Sequence, residues 1–136
     1  MKLITPEQLA STGKESGEQK ALFCWIADNP TLYPELKWLF HIPNGGLRGK
    51  AAAANIRAMG VKPGVPDLCL PIKRGPWSGL YIELKRLAHK TKKGGGTSNE
   101  QDEWIPFLQS QGYGAIVCYG WIEARDILIT YLEWKG

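Results

Sequence analysis

No apolar run in the 136 residues approaches the roughly 20 needed to cross a bilayer. The first segment, MKLITPEQLASTGKESGEQK, turns polar after Ile4, so no secretory signal is expected. Cysteine is scarce: Cys24, Cys69 and Cys118 lie far apart, without the C-x₂₋₄-C spacing of a zinc site. Each sits in an apolar stretch, and they read as reduced core residues of a cytoplasmic protein. The chain has no internal repeat and no linker long enough to separate two domains.

What is present is ordinary globular composition: 43% hydrophobic, 22% charged and 10% aromatic residues. Disorder and fibre are poor fits to it. The net charge of +4 is modest but unevenly spread. Lys85, Arg86, Lys90, Lys92 and Lys93 cluster beside His89, and Arg48, Lys50, Arg57 and Lys62 form a second group. Such clusters suit a phosphodiester backbone, where each neutralised phosphate releases counterions. A solvated face is the plainer explanation, and charge alone does not decide between them.

Local patterns predict a mixed α/β chain. Residues 1–15 are expected to form a loose arm ahead of one domain over 16–136. Ser16 with Gln19 is a capping-box pattern that opens a helix through ALFCWIA to about Asp28. KWLFHI reads as a strand stopped by Pro43, and KAAAANIRAM as a helix closed by Gly60. DLCLPI and LYIELKR read as two strands around KRGPWSG, followed by a basic, glycine-rich stretch expected to be mobile. Ser98 with Gln101 repeats the capping box and predicts a helix to about Gln111, kinked at Pro106. AIVCY is a buried strand, and the last helix carries Ile127, Leu128, Tyr131 and Leu132 on its apolar side. The expected order is α-β-α-β-β-α-β-α, a small central sheet flanked by helices.

The informative stretch is VPDLCLPIKRGPWSGLYIELKR. Period-two geometry places Glu83 and Lys85 on one face of their strand. A hairpin centred near Gly75 puts Asp67 opposite Glu83, to within one residue of register. Two adjacent carboxylates repel unless a cation or a proton intervenes. Hard divalent ions such as Mg²⁺ take carboxylate and carbonyl oxygens while retaining waters, and a nearby lysine suits phosphate chemistry. Surface alternation would explain the same letters. However, the neighbours Leu80, Tyr81, Ile82, Leu84 and Leu87 mark a strand buried on at least one face, where idle charges are costly.

Val65-Pro66-Asp67 and Ile82-Glu83-Leu84-Lys85 resemble the PD-(D/E)XK nuclease signature, and the surrounding pattern resembles its virus-type replication-repair (VRR-NUC) branch. Supporting marks are Glu18 on the first long helix, Pro43-Asn44-Gly45-Gly46, the Ser98–Gln101 helix start, and Gly112-Tyr113-Gly114 before a strand. The resemblance covers roughly residues 17 to 134 and implies a restriction-endonuclease-like core, of the stand-alone kind found in phages and some bacteria. It implies that Asp67, Glu83 and the backbone carbonyl of Leu84 hold Mg²⁺ or Mn²⁺. Glu18 would be a further ligand, Lys85 would position the attacking water, and Gln101 would support the site. Glu18 shares a helical stripe with Leu22 and Trp25, although the helix dipole would favour a carboxylate there anyway.

GLRGK departs from a nucleotide-binding loop, because Asn44 stands where the first glycine belongs and Ala51 where Ser or Thr belongs. The expected DNA-contacting residues are Asn44, Gly45, Gly46, Arg48, Lys50, Arg86, Lys90, Lys92 and Lys93. His41 reads as a strand residue near the core, and Trp77 as a hairpin-tip residue for stacking or a subunit contact. The expected activity is metal-dependent, structure-selective cleavage of DNA, on branched or four-way (Holliday) junctions. Two cuts in a symmetric junction predict a homodimer with no membrane contact. Rival expectations are a non-catalytic nucleic-acid-binding module and a restriction-type or RNA nuclease on the same fold.

Overall fold

The computed structural model describes residues 4–11, 15–43 and 49–136. Helix α1 (Pro6–Ala10) is followed by α2 (Glu15–Asp28), strand β1 (Phe40–His41), α3 (Lys50–Ala58), β2 (Leu68–Leu70) and β3 (Leu80–Lys85). Then come α4 (Asn99–Ser110), β4 (Gly114–Tyr119) and α5 (Trp121–Leu132). The expected order holds, with one helix added in front. Among the described residues, no helix is long and apolar enough to cross a membrane.

The four strands form one sheet in the order β1-β2-β3-β4. The first two pairings are antiparallel and β3–β4 is parallel. Strand β3 is central and buried at every position except half-buried Tyr81. Alternation divides the sheet between two kinds of surface. Leu68, Leu70, Leu80, Ile82, Leu84 and Cys118 share one face. They enter a common core with Ala21 and Leu22 of α2 and Trp121, Ala124, Leu128 and Leu132 of α5. Asp67, Cys69, Tyr81, Glu83 and Lys85 fall on the opposite face, the one that α4 approaches.

Three sequence expectations change. KWLFHI is not one strand: Pro34–Trp38 is a 3₁₀ turn, and only Phe40 and His41 join the sheet. The buried residues of the turn and its C-cap, Leu36 and Leu39, lie three apart. That is the 3₁₀ period and not strand alternation. The expected loose arm contains α1, capped by Thr5 and Gln8 through the same reciprocal box as at Ser98. The basic, glycine-rich stretch expected to be mobile forms two 3₁₀ turns, Leu87–Thr91 and Lys93–Gly96. The Tyr119 hydroxyl donates to the carbonyl of Gly95 across 2.8 Å, tying the second turn to β4.

The hairpin closes where expected. Arg74 and Trp77 exchange backbone hydrogen bonds around Gly75 and Pro76, with Gly75 at φ +53°. Trp77 is not a free tip residue: its ring packs edge-on against Trp134 at 4.9 Å and tilted against Tyr131 at 6.0 Å. The cysteines are free thiols, and Cys69 and Cys118 are buried. Burial, reinforced by the charge of Glu123, pushes the Cys118 thiol up to about 12, so it is inert at neutral pH.

Candidate active site

The site is built on the open end of the β2–β3 ladder. Leu68 faces Ile82, so one step outward Asp67 faces Glu83. Asp67 lies just before β2, where its carboxylate and carbonyl meet different partners. Its Oδ2 accepts the backbone N–H of Leu84 at 2.9 Å. Its carbonyl oxygen accepts the N–H of Ile42 at 2.7 Å and lies 3.0 Å from Nδ1 of His41. A carbonyl only accepts, so Nδ1 of His41 carries the hydrogen in this contact. The acid is thus fastened to both neighbouring strands.

Glu83 is 1% exposed. Its Oε1 accepts the Gln101 side-chain amide at 2.6 Å and lies 3.4 Å from Nζ of Lys85, itself only 7% exposed. Asp67 and Glu83 lie opposite each other across the ladder and interact. Burial raises the Asp67 carboxyl above its usual range. The Leu84 N–H opposes that rise most strongly, followed by the contact with Glu83 and the charges of Lys85 and His41.

Gln101 belongs to two structures at once. Its Oε1 accepts the Ser98 backbone N–H at 2.8 Å, while its own N–H reaches Ser98 Oγ at 3.2 Å, completing the cap of α4. The other end of the amide is the donor on Glu83. The two expected roles of this residue, cap and support, therefore coexist. Gly64 allows the approach: at φ +86°, an added Cβ would lie 2.5 Å from Cβ of Glu100.

Other expected site residues lie elsewhere. Glu18 is buried, and its Oε1 accepts the backbone N–H of Trp121 at 3.2 Å, capping α5. It lines a separate cavity of about 410 Å³ with Arg86, Tyr119 and Gly120. Arg86 meets Nε2 of His89 at 2.8 Å, and Lys90 reaches Glu123 at 3.3 Å. Lys50, Lys92 and Lys93 are exposed. Asn44, Gly45, Gly46 and Arg48 lie outside the described residues. The carbonyl of Leu84 lies on the same edge of β3 as its N–H, and so on the Asp67 side.

Sequence reasoning missed His41. It was legible as a strand residue, but the β1–β2 register that carries it to Asp67 spans a long excursion of chain with no turn signal to fix it.

The donor chemistry fits a hard divalent cation. Two neighbouring carboxylates and one lysine leave net negative charge in a largely buried place, and strand geometry adds a carbonyl oxygen. Among the described residues, no three His, Cys, Asp or Glu side chains gather around one point. A two-carboxylate site therefore suits an ion that keeps several waters, such as Mg²⁺ or Mn²⁺, better than one needing a full protein cage.

A mixed sheet with Pro-Asp leading into one strand, Glu-x-Lys on the next and helices on both faces defines a PD-(D/E)XK-type core. The model of the VRR-NUC domain family matches residues 5–121. A solved structure, "VRR_NUC domain protein", is 28% identical, with a TM-score of 0.70 over 88% of each chain. Comparison with curated proteins returned no match. The chain belongs to the VRR-NUC domain family and is a nuclease-type domain.

Proposed function

We propose that this domain is a metal-dependent endonuclease that hydrolyses phosphodiester bonds in branched DNA, four-way junctions included. One observation carries the reading: Asp67, Glu83 and Lys85 share one sheet face, with both carboxylates held by directed hydrogen bonds. A domain that only bound DNA would gain nothing from buried acids on its phosphate-facing surface.

Asp67, Glu83 and the carbonyl of Leu84 would hold Mg²⁺ or Mn²⁺, while Glu18 stays on the N-terminus of α5. When bound, such an ion lowers the pKa of a coordinated water and screens charge on the phosphate oxygens. Lys85 orients the attacking water and offsets charge on the phosphate from its place beside Glu83. Gln101 keeps Glu83 from swinging away. In-line attack leaves 5′-phosphate and 3′-hydroxyl ends. Lys50, Arg86, Lys92 and Lys93, with Asn44, Gly45, Gly46 and Arg48, follow the backbone. Lys90 joins them by exchanging its Glu123 partner for phosphate. The active form is a homodimer, one site for each cut strand.

The experiment is cleavage of labelled four-way junction, duplex and RNA in Mg²⁺, Mn²⁺ or EDTA, with wild type, Asp67→Ala and Lys85→Ala. Metal-dependent junction cutting, reduced at least about 10²-fold in each variant, is expected. Binding without cutting in either metal would instead establish a non-catalytic module.

A further inference from the structure

Beside the carboxylates, the outer strand of the sheet carries two exposed rings, Phe40, 48% exposed, and His41, and Trp38, 57% exposed, ends the 3₁₀ turn just ahead of them. Scattered exposed apolar residues are ordinary, but these are not scattered with respect to the site. Phe40 pairs with Cys69 and Cys69 with Tyr81, so Phe40 lies on the same face as Asp67, Glu83 and Lys85. It is the diagonal neighbour of Asp67 across the β1–β2 ladder, a separation of about 7–8 Å. His41 projects from the other face, yet its Nδ1 is tied to the carbonyl of Asp67 at 3.0 Å. Trp38 precedes them, with Nζ of Lys37 placed 5.1 Å from its ring centre. Aromatic faces beside cations and next to a phosphate-handling site are the elements of a single-strand stacking platform.

We propose that Phe40, flanked in the chain by Trp38 and His41, stacks on unpaired bases next to the phosphate being cut. The proposal rests on the nuclease reading and supplies its substrate selection. A base stacked within a duplex has no free face to offer a protein ring, whereas a base at a branch point or in a flap has one. Every base has a π-face, so the edge selects unpaired structure without selecting sequence. Phe40 is the central contact because it alone of the three shares the strand face with the acids.

The test uses the full chain in EDTA, so that binding is measured apart from cutting. The probes are a flapped DNA with 2-aminopurine at the first unpaired position, and the matching blunt duplex. Wild type is expected to quench the fluorophore on the flap. Phe40→Leu should abolish the quench and weaken flap binding by about 5- to 150-fold, the range set by removing one stack. Phe40→Tyr, which keeps the ring, should restore both, and duplex binding should be unchanged throughout. Equal behaviour of the Leu and Tyr variants would overturn stacking, because an apolar contact alone would then suffice. Equal losses on flap and duplex would overturn the selection for unpaired bases. Cleavage in Mg²⁺ separates the two ideas: cutting by wild type with no ring-dependent quench leaves the nuclease and removes the platform. A ring-dependent quench without cutting in any metal does the reverse.

Discussion

Gln101 is the residue where local and distant requirements meet. A capping box accepts Glu or Gln at its third position. Only the amide can accept from Ser98 at one end and donate to Glu83 at the other. Gln101→Glu should keep the cap yet set a second carboxylate against Glu83. Its melting temperature in EDTA is expected to fall below wild type and to rise more steeply on adding Mn²⁺, as measured by calorimetry. An unchanged metal-free melting temperature would show that this contact is not made in solution. Asp67 gives a pH prediction with a definite sign. Burial holds its folded pKa above the unfolded value of about 3.9. The native state therefore binds its proton more tightly, and the contribution favours folding in acid and is lost as pH rises through the folded pKa. Metal-free Asp67→Asn should accordingly be more stable than wild type at pH 8. The gap should close as the buffer is lowered toward pH 4, read from urea midpoints. The acids and the lysine were legible at this scale from alternation and hairpin symmetry; the hydrogen of His41 on the Asp67 carbonyl was not.

At the scale of elements, the first turn of α4 and the loop before β2 form one assembly. Gly64 sits at φ +86° with Glu100 and Gln101 directly over it. Alanine there meets both the left-handed penalty of roughly 1–2 kcal/mol and a steric clash with α4. Gly64→Ala should therefore lose at least about 1–2 kcal/mol of stability. It should also lower cleavage more than that loss explains, because pushing α4 outward withdraws Gln101 from Glu83. A stability loss with cleavage by the folded fraction unchanged would count against the coupling. The long helices were readable from caps and periodicity, and β3 from its run of apolar residues around Glu83. The segment before β1 was misread because an aromatic, apolar run fits a strand or a 3₁₀ turn equally well. Pro34 and the core's demand for Leu36 and Leu39 decided in favour of the turn. Helix α1 was missed although Thr5 and Gln8 carry the same box that opens α4.

For the whole molecule, the basic residues are not equivalent. Lys90 is engaged with Glu123 and Arg86 with His89, whereas Lys92 and Lys93 stand exposed on turns anchored to β4 through Tyr119. Replacing Lys92 and Lys93 by Ala should weaken binding to all DNA forms alike. It should also flatten the plot of log affinity against log salt by about one unit for each phosphate no longer neutralised. A slope equal to wild type would place these turns away from the DNA. This weakening, uniform across structures, is the counterpart of the structure-dependent effect expected at Phe40.

The sequence by itself determined what depends on near neighbours: the Ser98–Gln101 cap of α4, which side chains alternate along a strand, and the facing of Asp67 and Glu83 across a short hairpin; the cap expected at Ser16 lies inside α2, which begins at Glu15. It also displayed the Pro-Asp and Glu-x-Lys pattern that marks the family. Only the tertiary structure decided how β1 registers on β2, and so which rings border the acids. It likewise decided that α4 lays Gln101 on Glu83 and that Glu18 turns to the N-terminus of α5. The physical reason is range. Caps and alternation are set by dihedral preferences and hydrogen bonds over a few residues. Register between distant segments is set by which pairing buries the common core with every backbone group satisfied, a condition that no local stretch contains.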